Sequence, residues 1–192
     1  MRRSAYLIMQ VHTTPIPGLL EIEPKIFGDP RGYFFESYHK DRFRDAGIEA
    51  EFVQDNQSLS SRGVLRGLHF QNPPYAQGKL VRVIQGAVID VALDIRRGSP
   101  TYGQFHKVLL TGENQKMFWV PPGFAHGFAT LEDNTIFFYK CSGPYNKESE
   151  GSVLWNDPAL GIDWELETPL LSEKDKVARP LSELESKFTY EA

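Results

Sequence analysis

The sequence predicts a mainly β protein of sandwich or small-barrel type, because it has many short strand-like segments, turn residues between them and only one main helix candidate. Short segments rich in β-branched and aromatic residues recur along the chain, and Gly, Pro, Asn or Asp separates most of them. The main helix candidate is ESYHKDRFRDAGI, which ends at Gly47 and has only roughly periodic apolar residues. The predicted strands are LLEIEPKIF, YFFESY, FVQDNQSLS, KLVRVIQGAVIDVALDI, HKVLLT, KMFWVPPG, AHGFATL and TIFFYKCS.

One domain is expected over residues 1–192. The chain is long enough to bury a large core, and it contains no repeat, linker or low-complexity tract. We interpret residues 1–9 as an N-terminal extension, in which Met9 offers an alternative start of translation. Residues 165–192 are predicted to form loops plus a short helix around LSELESKF.

The composition excludes several classes of protein. The net charge of −4 leaves no sequence-wide basic surface for nucleic acid. Charged residues at 24% and hydrophobic residues at 41% suggest neither disorder nor membrane residence. Cys141 is the only cysteine, so no internal disulfide can form and a reducing compartment is compatible. The opening MRRSAYLIMQ lacks the apolar core of a signal peptide, and we expect a cytoplasmic protein.

The stretch RGLHFQNPPYAQGKLVRV, residues 66–83, places unusual charge in a region that otherwise predicts strands. Successive strand residues point to opposite faces, so Lys79 shares a face with two valines. Arg66 and His69 cannot both point inward along one regular strand. Gly67 lies between them and favours a bulge, since glycine in a strand often marks one. Taken singly such residues are usually solvated rim charges, but their density favours a site.

A second informative stretch is WVPPGFAHGFATL, where a proline-glycine turn precedes His126. Gly63 to His69 and Pro121 to His126 resemble the two halves of the signature of cupins, whose jelly-roll barrel brings histidines together. Metal-binding cupins have a second histidine two residues after the first, and here that position is Gln71. Two histidines without a carboxylate make a poor ligand set for a divalent metal. We therefore expect no metal, which leaves the imidazoles free for proton transfer.

The C-terminal part of the chain offers a carboxylate partner for a histidine. A histidine that acts as a base needs a group that orients it. LLSEKDKVARP places Asp175 between Lys174 and Lys176. By itself SEKDK also fits a solvated charge run or the start of a short helix. Sequence spacing does not show whether Asp175 approaches His69.

The chain resembles a known family through motifs spread over residues 10–182. They are FGDPRGYFFESY, FVQDNQS, VLRGLHFQ, AQGKLVRVIQGAVIDVALDIR, SPTYGQ, WVPPGFAHGFATL, YKCS, SEGSVLWNDPALGIDW and LSEKD. Their order is similar to that of the dTDP-4-dehydrorhamnose 3,5-epimerases of dTDP-L-rhamnose biosynthesis. The resemblance implies a cupin-like β jelly-roll barrel with short peripheral helices, a homodimer and the substrate dTDP-4-dehydro-6-deoxy-D-glucose.

The resemblance also implies the chemistry. The ketone at carbon 4 acidifies the protons on carbons 3 and 5, so a base removes each through an enolate and an acid returns it to the opposite face, without cofactor or metal. The family's base matches His69 of RGLHF, and its orienting partner matches Asp175 of SEKD. Lys79 of QGKLVR resembles the cation that stabilises the enolate oxygen. Tyr139 of FFYK resembles the acid, although alone it reads as a core aromatic.

Substrate-binding positions follow from the same resemblance. They match Arg31, Phe34, Glu36, Gln54, Asn56, Arg66, Lys79, His126, Glu150 and Lys174. Arginine suits a diphosphate because its planar fork donates two hydrogen bonds at once. The family's N-terminal strands reach across the dimer, so Arg31, Phe34 or Glu36 is expected to complete the neighbouring subunit's site. Without the resemblance, Arg31, Glu36 and Glu150 read as turn or loop charges.

Other functions stay open at this point. Related enzymes epimerise only carbon 3 or only carbon 5, and ketoisomerases on similar barrels move the carbonyl. The set of His69, Lys79, Tyr139 and Asp175 favours epimerisation, and nothing in it limits the reaction to one carbon. A non-catalytic cupin that binds a nucleotide sugar would need the cations but not the acid. A metal-dependent cupin oxygenase or isomerase predicts a bound metal.

Overall fold

A computed structural model describes residues 8–191, and strands predominate within them. The predicted N-terminal extension, residues 1–9, therefore lies largely outside the described residues. The strands are β1 (Met9–Thr13), β2 (Leu20–Pro24), β3 (Phe27–Asp29), β4 (Gly32–Phe34), β5 (Gln54–Ser60), β6 (Leu65–Gln71), β7 (Lys79–Gln85), β8 (Ala87–Asp94), β9 (Phe105–Thr111), β10 (Met117–Val120), β11 (Phe124–Thr130), β12 (Thr135–Cys141) and β13 (Glu150–Ser152). The helices are α1 (Lys40–Asp45) and α2 (Glu173–Lys176), with 3-10 turns at Lys147–Ser149 and Leu181–Glu183.

The strands form two antiparallel sheets that face each other. Sheet one has six strands in the order β1-β2-β10-β7-β12-β5, and sheet two has five in the order β13-β6-β11-β8-β9. β3 and β4 form a separate hairpin. Most neighbours within a sheet are not consecutive in sequence, as the long connections of a jelly roll require. Within residues 8–191, no helix is long and apolar enough to cross a membrane.

The central core lies between the two sheets. Sheet one contributes Val81, Val83, Phe118, Val120 and Phe137, and sheet two contributes Val88, Ala92, Val108, Leu110, Phe124 and Phe128. Period-two alternation places these apolar residues on the inner faces, where each large side chain stabilises the fold by about 2 kcal/mol. The same alternation points Lys79 inward, because it shares parity with the buried valines of β7.

Both sheets are also covered on their outer faces. Phe43 of α1 and Ile48 pack with Trp119 against sheet one. Trp164 and Phe188 belong to a second cluster that covers sheet two. The C-terminal segment, predicted as loops, thus carries apolar anchors, and these hold α2 near β6.

A bulge interrupts β6 at the position where the sequence predicts one. His126 of β11 lies opposite His69, and Phe128 lies opposite Arg66, so two steps along β11 match three along β6. The extra residue reverses the alternation of faces. Leu65, Leu68 and Phe70 pack into the outer cluster, whereas Arg66, His69 and Gln71 line a cavity between the sheets.

Glycine at the bulge is required by both backbone conformation and space. Gly67 has a φ of +144°, and a Cβ added there would lie 2.5 Å from the Cα of Gly127. A Cβ added at Gly127 would in turn lie 2.8 Å from the carbonyl oxygen of Arg66. The two strands therefore approach each other where neither has a side chain.

Several sequence predictions of local structure were too long or missing. The strand predicted for YFFESY ends at Phe34, because Phe35 and Tyr38 pack against the outer face of sheet one instead of pairing. β1 and β13 were not predicted; each is a short strand that depends on its pairing partner. Tertiary pairing and packing override intrinsic strand preference at these places.

The predicted helices are confirmed only in part. The candidate ESYHKDRFRDAGI forms a helix at Lys40–Asp45, and Gly47 with a φ of +91° follows its end. LSELESKF forms only the 3-10 turn Leu181–Glu183. The SEKDK segment, for which a short helix was one of two interpretations, forms α2. Ser172 provides the N-cap of α2, since its side chain accepts a hydrogen bond from the backbone nitrogen of Asp175.

We expect Gly67→Ala to lower the free energy of unfolding by about 3 kcal/mol, because it adds a backbone clash to a left-handed conformation. Gly63→Ala is the matched control. Gly63 has a φ of +87° but open space around an added Cβ, so its loss should be about 1 kcal/mol. Urea unfolding measures both losses, and equal values would contradict the close approach at the bulge.

Candidate active site

A cavity of about 840 Å³ is lined by residues of both sheets and of α2. Most of the predicted site residues line it. They are Gln54, Asn56, Arg66, His69, Lys79, His126, Tyr139, Glu150, Lys174 and Asp175. Sheet two supplies His69 and His126, sheet one supplies Lys79 and Tyr139, and α2 supplies Lys174 and Asp175.

His69 and Asp175 form a hydrogen-bonded pair in this cavity. The Nε2 atom of His69 lies 2.5 Å from Oδ1 of Asp175, although the two residues are 106 positions apart in the chain. The side chain of Asp175 is only 2% exposed and that of His69 is 27% exposed. The approach that sequence spacing did not show is therefore present in the folded chain.

Ser172 holds the carboxylate of Asp175 in place. Its hydroxyl donates to Oδ2 of Asp175 at 2.8 Å and accepts from the backbone nitrogen of the same residue at 3.3 Å. Burial opposes ionisation of Asp175, but the hydrogen bond and the charge of His69, together with the Ser172 hydroxyl, outweigh it and lower the pKa of Asp175. The carboxylate is thus ionised and fixed, as an orienting partner for imidazole must be.

A second histidine-aspartate pair lies on the same inner face. Nε2 of His126 is 2.8 Å from Oδ1 and 3.0 Å from Oδ2 of Asp90. Both side chains are buried, that of Asp90 completely. His126 also stacks on the ring of Phe137, with 6.3 Å between ring centroids. His126 is therefore held in one orientation opposite His69.

Lys79 and Tyr139 stand on the wall formed by sheet one. The Nζ atom of Lys79 lies 5.8 Å from the centroid of the Tyr139 ring. Burial lowers the pKa of Lys79. Burial likewise raises the pKa of Tyr139 and exceeds the opposing effects of Arg66 and a hydrogen bond with Asn56. Tyr139 therefore keeps its phenolic proton. Lys79 lies in poorly solvated surroundings, where its charge in the protonated form would interact strongly with a developing negative charge.

The polar residues of β5 form a short hydrogen-bonded chain. Nε2 of Gln54 donates to Oδ1 of Asn56 at 3.0 Å, and Nδ2 of Asn56 donates to Sγ of Cys141 at 3.6 Å. At the rim, Arg66 donates to the hydroxyl of Ser60 at 3.2 Å. The exposed Arg66 guanidinium has further donors that are available to an anionic ligand.

The rim on the side of α2 carries an ion pair. Nζ of Lys174 lies 2.8 Å from Oε1 of Glu150, which begins β13. The partly exposed pair connects α2 to the edge of sheet two. Lys174 therefore adds to Arg66 and Lys79 a further cationic side chain in the lining of the same cavity.

Three predicted binding residues lie outside this cavity. Arg31 is exposed and bonds Asp29 within the turn of the β3-β4 hairpin, and Phe34 at the end of β4 is 70% exposed. Glu36 forms an ion pair with Arg42 of α1. Within the described subunit these residues are not brought to the cavity, and the role expected of them across a dimer stays a prediction.

Sequence reasoning missed some residues of the site. Asp90 had a signal: it is a charged residue at an inward position of AVIDVALD, a strand buried along its whole length. Tyr145, whose side chain is 57% exposed, lines the cavity from a loop after β12. The surrounding sequence, YNKE, has no pattern that indicates a site residue. Gln71 and Gln77 also line the cavity.

Possible metal ligands are scattered and not grouped in the described part of the chain. Among residues 8–191, no group of three or more His, Cys, Asp or Glu side chains is arranged to hold a metal ion. Gln71, at the position of the second cupin histidine, uses its side-chain amide to bond the backbone of Tyr75, Pro144 and Asn146. The two histidines of the cavity, His69 and His126, instead each have one carboxylate partner, an arrangement suited to proton transfer.

Comparison with known proteins identifies the family. Residues 13–183 match the family described as dTDP-4-dehydrorhamnose 3,5-epimerase. The chain belongs to this epimerase family. The dTDP-4-dehydrorhamnose 3,5-epimerase of Salmonella typhimurium is 53% identical over 173 residues, which cover 89% of this chain and 94% of that protein. The resemblance seen in the sequence motifs is confirmed.

Solved structures of the epimerase family share the fold. The dTDP-6-deoxy-D-glucose-3,5-epimerase of Legionella pneumophila, solved in complex with dTDP-4-keto-L-rhamnose, has a TM-score of 0.92 and 50% identity, covering 96% of this chain and 100% of that chain. ChmJ, a 3'-monoepimerase from Streptomyces bikiniensis solved with dTDP-quinovose, has a TM-score of 0.84 and 36% identity, covering 89% of this chain and 87% of that one. The cupin-like jelly-roll prediction is therefore confirmed, and the same fold also serves an enzyme that acts at one carbon.

The lowered pKa of Asp175 predicts a contribution to acid stability. Its folded pKa lies below 3.8, so the ionised carboxylate stabilises the fold above that pH, and the contribution is lost as pH falls through the folded-state pKa. We expect the unfolding free energy of wild type to exceed that of Asp175→Asn near pH 5, and the difference to shrink as the pH falls below about 4. Urea unfolding at each pH measures it. A difference independent of pH would contradict the assignment, and the exposed Glu49→Gln is the control.

Proposed function

We propose that the protein epimerises dTDP-4-dehydro-6-deoxy-D-glucose at carbons 3 and 5 to give dTDP-4-dehydro-L-rhamnose, by proton transfer without cofactor or metal. One observation carries this proposal: in a chain of this family, His69 of sheet two and Tyr139 of sheet one line opposite walls of the same cavity. A base on one side of a carbon and an acid on the other is the arrangement that inversion requires.

His69 is the proposed base. Its Nε2 is engaged by the ionised Asp175, which accepts the Nε2 proton and leaves Nδ1 as the nitrogen that receives a proton from substrate. The imidazolium that forms is stabilised by the same carboxylate. Removal of a proton next to the ketone leaves an enolate, and its charge falls mainly on the oxygen at carbon 4.

Lys79 and Tyr139 complete the proposed cycle. In its protonated form the partly buried Lys79 is poorly solvated, so it would be stabilised strongly when the enolate oxygen becomes negative. Tyr139, with its raised pKa, is protonated at neutral pH and returns a proton to the opposite face. The base and the acid then regain their starting states by exchange with solvent, and two such cycles invert both carbons.

The rim of the cavity suits the nucleotide. The exposed guanidinium of Arg66 and the ammonium of Lys174 supply positive charge for a diphosphate. Tyr145 presents an exposed aromatic ring on which a thymine base can stack. Gln54, Asn56 and His126 add polar groups deeper in the cavity.

We infer a homodimer from the exposed hairpin. The side chains of Phe27, Tyr33 and Phe34 on β3 and β4 are each at least 45% exposed. A cluster of exposed aromatic side chains is typical of a surface that binds another protein chain. The family resemblance assigns this region to the neighbouring subunit's site. A cytoplasmic location also stays a prediction, and the support for it is the unpaired, buried Cys141.

Solvent exchange tests the reaction and the main alternative. Incubation of the protein with the 4-keto sugar nucleotide in deuterated water should place deuterium at carbons 3 and 5, because each enolate is formed by loss of a proton and then takes a deuteron from an acid that has exchanged with solvent. Nuclear magnetic resonance of the product locates the label. Label at one carbon would establish a mono-epimerase like ChmJ, and no label would overturn the proposal. His69→Ala should abolish exchange at both carbons if one base serves both.

Tyr139→Phe separates an enzyme from a binding protein in the same assay. It keeps the ring that packs on Phe137 and removes only the hydroxyl. Epimer formation should fall by about 100-fold or more, while dTDP still binds by calorimetry. Full activity without the hydroxyl would remove Tyr139 from the acid role.

Mixing of inactive variants tests the shared site. Arg31→Ala and His69→Ala homodimers should each be weakly active or inactive. If Arg31 serves the neighbouring subunit, mixed dimers contain one intact site, and co-expression should restore about a quarter of wild-type activity. Co-expression of His69→Ala with Tyr139→Phe is the control and should restore none, because both residues act in one subunit. Failure of the first pair to exceed this control would place Arg31 outside the site.

A further inference from the structure

The loop that carries Tyr145 is held by side chains from the cavity. Residues 143–146, here called the rim loop, lie between β12 and the 3-10 turn Lys147–Ser149. Three glutamines, Gln54, Gln71 and Gln77, bond its backbone, and all three line the cavity. We call them the glutamine clamp. The rim loop is outside the sheets, so these bonds take the place of strand pairing.

Gln71 is the central member of the clamp. Its Nε2 donates to the carbonyl oxygens of Tyr75 at 2.7 Å and Pro144 at 3.1 Å, and its Oε1 accepts from the backbone nitrogen of Asn146 at 2.8 Å. The residue is only 6% exposed. One buried amide thus fixes the backbone on both sides of Tyr145 and also ties in the proline loop that follows β6.

The other two glutamines complete the contact with the loop. Nε2 of Gln77 donates to the carbonyl oxygen of Gly143 at 2.6 Å. Oε1 of Gln54 accepts from the backbone nitrogen of Tyr145 at 3.2 Å. Every residue of the rim loop therefore has a backbone group bonded to the clamp, yet the ring of Tyr145 remains exposed.

We propose that Gln71 is a positioning residue for nucleotide binding, which acts by holding the rim loop so that the Tyr145 ring forms a preset platform for the base of the substrate. This rests on the proposed function for the identity of the ligand. A platform that is ordered before binding loses less conformational freedom when the ligand arrives, and affinity rises accordingly. Because the amides carry no charge, this ordering does not depend on pH. The effect therefore concerns binding of the nucleobase and not the reacting carbons of the sugar.

Hydrogen exchange tests the clamp without any ligand. Gln71→Met keeps a similar chain length and removes every amide contact. Peptides that contain the rim loop should exchange faster in this variant, since the Asn146 nitrogen loses its partner, while peptides of β8 and β11 keep wild-type rates. Unchanged exchange in the loop would overturn the proposal. If Gln71→Met does not fold, judged by thermal unfolding, Gln77→Met replaces it and should free the Gly143 end of the loop.

A double-mutant cycle tests whether Gln71 acts through Tyr145. Calorimetry with dTDP as the probe should give binding weaker by about tenfold for Gln71→Met in the wild-type background and by less than about twofold in the Tyr145→Ala background. Equal factors in both backgrounds, or no loss in either, would contradict the positioning role. Absence of dTDP binding by the wild-type protein would instead contradict the proposed function, and the exchange experiment would still decide whether the clamp exists. In turnover assays the variant should raise KM more than it lowers kcat.

Discussion

The site depends on the close approach of β6 and β11 at Gly67 and Gly127. A regular strand would turn either Arg66 or His69 away from the barrel interior. One extra residue in β6 lets both point inward while hydrophobic residues of the same strand still cover the outer face. The bulge therefore allows one strand to pack apolar side chains on its outer face and to present polar side chains on its inner face. At this bulge the two backbones approach so closely that neither Gly67 nor Gly127 has room for a Cβ atom.

The division of chemistry between two sheets follows from this arrangement. Sheet two carries histidines paired with buried carboxylates, and sheet one carries Lys79 and Tyr139, which have no carboxylate hydrogen-bonded to them in the described structure. The ionised Asp175 is hydrogen-bonded to His69 on one wall, whereas on the other wall burial raises the pKa of Tyr139 and so opposes loss of its phenolic proton. The two walls of the cavity therefore differ in charge before any ligand enters, and this difference supports the proposed assignment of a base to one wall and an acid to the other.

The sequence predicted the fold better than the contacts within the site. Alternation and turn residues located most strands, and the conflict between Arg66 and His69 located the bulge. The approach of Asp175 to His69 was beyond sequence reasoning, because it depends on how apolar residues of the C-terminal segment dock on sheet two. Asp90 could have been found, because it is a charged residue at an inward position in the middle of a fully buried strand. Tyr145 was not, because its loop is placed by distant side chains and has no local pattern of its own.

Gln71 occupies a position at which a cupin barrel has two incompatible uses. As a histidine it would belong to a metal's coordination sphere, and its imidazole would have to turn toward the cavity. As a glutamine it uses both amide N–H donors and its oxygen to bond the loops above the strand. A related barrel with a metal-binding histidine at this position would therefore lose the hydrogen bonds that hold the rim loop. It would need other contacts to order that loop before it could bind its nucleotide. The metal-binding barrel and this barrel would thus differ in how the rim loop is held as well as in the side chain at this position.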